Sequence, residues 1–286
     1  MRARTGIMWI RQMACGAGRA CGSVRVTRMM LGVLALGITI APGWGQEENT
    51  GKRAAPKRIV RLLPVGDLPL FHADLIDGVL QERDLPEGTV PPQQMVASAG
   101  EDAVTEVRMM LGQYSRVIDA PIAATRLRLR EAGADETKVW AEIALPEGEA
   151  PLLVLLWRNP DGGNWSSARH LLLNDSATAA PGGAVRVINL TGAVAGVLFG
   201  GEKQTVGLKP GLTAIRQTEG GKALPVSVAV QDGKGGWLRL FDNEVEPGRA
   251  GRSLVVIYRS DGESPRRQAK VQVLTENLAA VSRREG

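Results

Sequence analysis

From residue 124 onward, apolar and polar positions follow strand periods. Arg126–Arg130 alternates arginine and leucine, which puts Leu127 and Leu129 on one face and the arginines on the other. Val139, Ala141, Ile143 and Leu145 alternate in the same way, with Trp140 on the opposite side. Leu152–Trp157 is apolar at both parities, the pattern of a strand covered on both faces. Asn159-Pro160-Asp161-Gly162-Gly163 is turn chemistry, and His170–Leu173 returns as a hairpin partner. Shorter apolar runs follow at Val185–Leu190, Val194–Phe199, Thr205–Leu208, Leu224–Val230, Trp237–Phe241, Ser253–Tyr258 and Ala269–Leu274, with glycine-rich turns between them. Before residue 124 the pattern is weaker. Arg58–Val65 reads as a strand. In Phe71–Leu85, Leu75, Ile76, Val79 and Leu80 have helical spacing, but Gly78, Pro69 and Pro86 weaken it. Ala103–Ile118 fits a helix face through Val104, Val107 and Leu111, or a strand through Val107, Met109 and Leu111. The strand is favoured, because the corresponding Gln204–Gly211 holds Gly207 and Pro210.

The second half of this pattern repeats the first. With an offset of 101, Trp140 falls on Phe241, Pro146 on Pro247, Leu153 on Leu254, Val154 on Val255, Trp157 on Tyr258 and Arg158 on Arg259, and Leu127 and Leu129 fall on Val228 and Val230. Taking Pro160 as one extra residue changes the offset to 100, which sets Asp161-Gly162 on Asp261-Gly262 and His170 on Lys270. A period of about 100 residues is the size of one β-sandwich. The expected fold is all-β: two tandem immunoglobulin-like β-sandwich modules, 58–173 and 184–276, joined by a linker at 174–183 and followed by a polar tail at 277–286. Because Leu152–Leu156 and Ser253–Tyr258 are both two-faced, the modules are expected to cover these strands with each other or with a second chain. Charging Val154 or Val255 is then expected to loosen both.

Charge changes the picture at the N-terminus. Residues 1–46 carry six arginines and no acid; without them the 35 basic residues become 29, against 30 acidic ones. A near-neutral remainder argues against the basic stripe that a nucleic-acid partner requires. Within the basic segment, Met29–Ala41 is a 13-residue apolar run followed by Pro42-Gly43-Trp44-Gly45. This is the pattern of a signal peptide over 1–45, with cleavage near Gly45 and a polar lead-in over 46–57. The run is shorter than the roughly 20 residues of a membrane span. Its basic segment is long, which is compatible with a start nearer Met13. Cys15 and Cys21 both lie in the leader, so the exported chain has no disulfide and no cysteine-bound metal.

Catalytic chemistry is not written into the chain. His72 and His170 are the only histidines, and His170 reads as a solvated strand residue. No nucleophile elbow, metalloprotease helix or calcium loop is present, and no set of three or four metal ligands converges by spacing. Acid pairs such as Glu82/Asp84 and Glu101-Asp102 lie in loops. Trp140 and Trp165 are the candidate recognition residues, as aromatic platforms on which a sugar ring stacks. Val185–Thr191, the Leu208-Lys-Pro-Gly211 turn and the late strand Ser253–Asp261 together resemble a group of uncharacterised exported bacterial proteins. That resemblance implies secretion and an immunoglobulin-like sandwich, and brings no activity with it. The functional expectation is a non-enzymatic envelope or periplasmic protein with no cofactor, acting by contact with an envelope protein or as a structural module. The alternative is a carbohydrate-binding sandwich.

Overall fold

A computed structural model describes residues 56–70, 73–82, 85–100, 103–161, 163–262 and 267–278. The predicted leader with both cysteines, His72, Asp84 and Glu101-Asp102 lie outside the described residues. The described chain is all-β. Its first half contains β1 (Lys57–Val65), a hairpin of β2 (Ala73–Ile76) and β3 (Val79–Glu82), β4 (Gln94–Ser98), β5 (Val104–Arg108), β6 (Ile118–Pro121), β7 (Arg126–Glu131), β8 (Ala141–Ala144), β9 (Leu152–Arg158) and β10 (Ala168–Asn174). Its second half contains β11 (Ala184–Asn189), β12 (Ala195–Phe199), β13 (Val206–Leu208), β14 (Thr213–Gln217), β15 (Leu224–Gln231), β16 (Trp237–Val245), β17 (Gly251–Arg259) and β18 (Ala269–Asn277).

Each half forms two four-stranded sheets. In the first the orders are β10-β9-β1-β6 and β5-β4-β7-β8; in the second they are β18-β17-β11-β14 and β13-β12-β15-β16. Matching β1 with β11 and β4–β10 with β12–β18 makes the two halves topologically identical, with the β2–β3 hairpin as an extra piece in the first. In both, the opening strand runs parallel to the seventh of the eight matched strands, Leu62 beside Val154 and Val187 beside Val255. This order differs from the A-B-E-D and C-F-G sheets of an immunoglobulin constant domain. The sandwich architecture is present without that topology.

The parallel strands alternate between two cores. Val60, Leu62, Leu152, Val154 and Leu156 point into the first sandwich. Val185, Val187, Val255 and Ile257 point into the second. The opposite parity forms a third core, in which Leu63, Val65, Leu153, Leu155 and Leu173 meet Ile188, Leu190, Leu254, Val256 and Tyr258. The described residues therefore form a four-layer stack in which the inner sheets pack on each other. At roughly 1.5–3 kcal/mol per buried apolar side chain, these ten residues outweigh the freedom the halves would gain by separating. Accordingly, the described residues belong to one compact unit. Val154 and Val255 face their own cores, so the two-faced strands do join the halves, but through the neighbouring parity.

Pairing also corrects the repeat. His170 lies opposite Leu156 and Val271 opposite Ile257, while Arg169 lies opposite Trp157 and Lys270 opposite Tyr258. The offset is again 101 in the last strand. Arg169, and not His170, is the counterpart of Lys270, because the two turns are the same length: Arg158 pairs with Ala168 and Arg259 with Ala269, ten residues on in each half. In the outer sheets only the order repeats. The Trp140 amide donates to the Leu129 carbonyl, whereas Phe241 pairs with Val228, beside a bulge at Val228/Ala229. If Trp140 matches Phe241, Leu129 therefore cannot also match Val230.

Candidate functional site

The inner-sheet core is closed at its two ends by buried charge. At the end where β9 and β17 begin, Arg61 Nη2 lies 2.5 Å from Asp175 Oδ2 and Arg61 Nη1 2.6 Å from Glu276 Oε2. Arg252 contacts the same two acids, Nη2 to Asp175 Oδ1 at 2.7 Å and Nε to Glu276 Oε1 at 2.6 Å. Two guanidinium groups and two carboxylates thus close a ring, with Tyr114 stacked on Arg61. Asp175 and Glu276 occupy equivalent positions one repeat apart, each just past the shared pairing of Leu153 with Leu173 and of Leu254 with Leu274. Burial would raise the Glu276 carboxyl, but hydrogen bonds and charge from both arginines hold it below the usual carboxylate range. Arg186, on β11, donates to the Asn174 and Ala179 carbonyls. The predicted linker is therefore part of the interface, with Asp175 buried in the ring and Ala180 in the packing.

The other end is organised by Asp67, which follows β1. Its carboxylate accepts from the Tyr258 hydroxyl at 2.9 Å, the Ser260 hydroxyl at 2.6 Å and the Gly262 amide at 2.9 Å, and pairs with Lys270 at 2.8 Å. Burial pushes this carboxyl up, but Lys270 and the hydroxyl and amide donors outweigh it and lower it to about 2. Asp261 returns the tie, accepting the Asp67 amide at 2.7 Å and the Arg158 Nε at 3.0 Å. One carboxylate from the first half thus anchors the β17–β18 turn of the second.

Beside this knot, a cleft of about 490 Å³ opens between the halves, within the size range of binding sites. Val65, Trp157, Leu171, Leu190 and Tyr258 supply its apolar surface, and Arg158, Arg169 and Arg259 its charged one. Arg158 is held by Asp261, and Arg169 by Asp161 at 2.9 Å. Arg259 is exposed, and its guanidinium has no ion-pair or hydrogen-bond partner among the described residues. The cleft's arginines are legible in the repeat, since Arg158 and Arg259 are equivalent positions. Asp67 carries no such signal.

The hairpin β2–β3 springs from the rim of this cleft. It follows closely on Gly66-Asp67, and the chain returns where the Gly88 carbonyl accepts the Trp165 amide at 2.8 Å. Its strands pair only with each other, Leu75 opposite Leu80 and Ile76 opposite Val79, around Asp77 and Gly78, both at positive φ. That is the backbone of a tight two-residue hairpin turn, which Asp-Gly favours. The helical spacing of these four residues reflects two cross-strand pairs. None of them enters a core: Leu75 and Leu80 are each 71% exposed, Val79 61% and Ile76 47%.

Neither candidate tryptophan is a free platform. Trp165 is 1% exposed, because the β9–β10 loop folds its ring into the first core, and a covered ring has no face for a pyranose. Trp140 packs partly buried on the same core and donates its indole N–H to the Trp165 carbonyl at 2.8 Å. His170 is exposed on β10, as expected of a solvated strand residue. Among the described residues no group of three or more histidine, cysteine, aspartate or glutamate side chains is placed to hold a metal, and no helix is long and apolar enough to cross a membrane. No protein-family model matches the chain, and no curated protein is found to be similar to it.

Proposed function

We propose that the protein is exported and acts in the cell envelope by protein–protein contact, without catalysis. The observation that carries this reading is the β2–β3 hairpin, whose four large apolar side chains stand in solvent on both faces. Leaving two leucines, an isoleucine and a valine uncovered forgoes several kcal/mol of burial, and contiguous exposed apolar surface marks interaction sites. Export is supported by the charge and apolar pattern of the leader. The contact reading is supported further by the four-layer stack, which holds the roots of the hairpin on a firm base.

The test is site-specific photocrosslinking in the native host, with a photoreactive residue at Leu75 or Leu80 and a control at the exposed Arg128 of β7. The expected outcome is protein adducts from the hairpin positions, recovered from the envelope fraction, and none from the control. Equal labelling at all three positions, or an intact leader in a cytosolic protein, would contradict the reading.

A further inference from the structure

The arm and the cleft suit each other. From Ala73 to Gln81 the hairpin carries Asp74 and Asp77 and no basic residue. Leu75, Ile76, Val79 and Leu80 form its apolar part. The cleft presents the complement: an apolar surface from Trp157, Leu171 and Leu190, with three arginines against the single carboxylate of Asp261 among its lining residues. The surplus of positive charge rests on Arg259, whose guanidinium meets no carboxylate among the described residues.

Resting on the contact reading above, we infer that the hairpin's occupant is the cleft of a second copy of this chain, exchanged reciprocally in a two-fold dimer. Arm and cleft share one end of the molecule. The hairpin's root at Asp67 lies two residues from Val65, which lines the cleft, and its root at Gly88 lies against Asn164, next to the lining residue Gly163. Two copies placed end to end therefore bring each arm to the other's cleft, and the exchange closes at two. Such an isologous interface uses the same patch on both subunits. The face of the arm that carries Asp74 beside Ile76 and Val79 meets Arg259, and the apolar side chains cover Trp157, Leu171 and Leu190.

Sedimentation of the chain from residue 46 across a concentration series tests this. The expected species is a dimer. Asp74→Lys and Arg259→Glu, both surface changes, each weaken it by about tenfold, the equivalent of one good charge pair, and the double variant recovers most of the loss. A monomer at every concentration overturns the inference, as does a dimer indifferent to either single change or a double variant that is not rescued. The wider reading fails separately, by the absence of any protein adduct at the hairpin in the host.

Discussion

Asp67 ties two halves of the chain through partners 191 and 193 residues away, Tyr258 and Ser260. Its carboxyl falls from 3.8 to about 2 on folding, so the contribution is complete above pH 4 and is lost as pH drops toward 2. The shift corresponds to at most roughly 2 kcal/mol, because Lys270 stands partly in solvent and is screened there. Urea denaturation at pH 5 and pH 2.5 should show wild type losing more stability than Asp67→Asn over that interval; equal losses would contradict the assignment. Trp165 makes a second case. Its indole N–H is buried without a partner among the described residues, so Trp165→Phe removes an unsatisfied donor along with some volume. The expected change is within about 1 kcal/mol, whereas Trp165→Ala costs about 3–5 kcal/mol. A large loss in the phenylalanine variant would mean that the N–H is satisfied. Neither residue is legible in this role from sequence. Asn-Trp-Ser in a glycine-rich turn resembles a solvent loop, and the partners of Asp67 lie in a strand turn no local pattern connects to it.

At the scale of elements, the two-faced strands are readable because a run without parity has no solvent side. Which parity meets the other half is not, since both are equally apolar. Leu155 and Leu254 lie in the shared core, Val154 and Val255 in separate ones. Leu155→Asp should therefore raise amide hydrogen exchange in β17, across the interface, by roughly tenfold or more. Unchanged protection in β17 would show that the inner sheets do not depend on each other. The hairpin imitates a helix for a physical reason: Leu75, Ile76, Val79 and Leu80 have the three- and four-residue spacings of a helix face, and the same four form two cross-strand pairs, five and three apart, around a two-residue turn. Asp77-Gly78 distinguishes the two, because a left-handed pair closes a hairpin and ends a helix.

For the whole molecule, the repeat of about 100 residues announces two similar halves, and the inner sheets keep that offset in register. The ring's two acids, Asp175 and Glu276, follow the repeat, but the weld between the halves also depends on side chains the repeat does not share, such as Asp67 and Arg252. Buried ion pairs add little net stability, but losing one member leaves its partners stranded. Asp175→Ala should lower stability by about 3–5 kcal/mol, measured by chemical denaturation, although Asp175 lies in the stretch that reads as a linker. A loss below about 1 kcal/mol, the size of a surface pair, would place the ring in solvent.

The central claim is that two sandwiches share a core and therefore fold as one body, carrying the cleft and the arm on a common base. Differential scanning calorimetry of the chain from residue 46 tests it most directly. The account predicts a single transition whose calorimetric and van't Hoff enthalpies agree. Two resolved transitions, each with the enthalpy of about 100 residues, would contradict it.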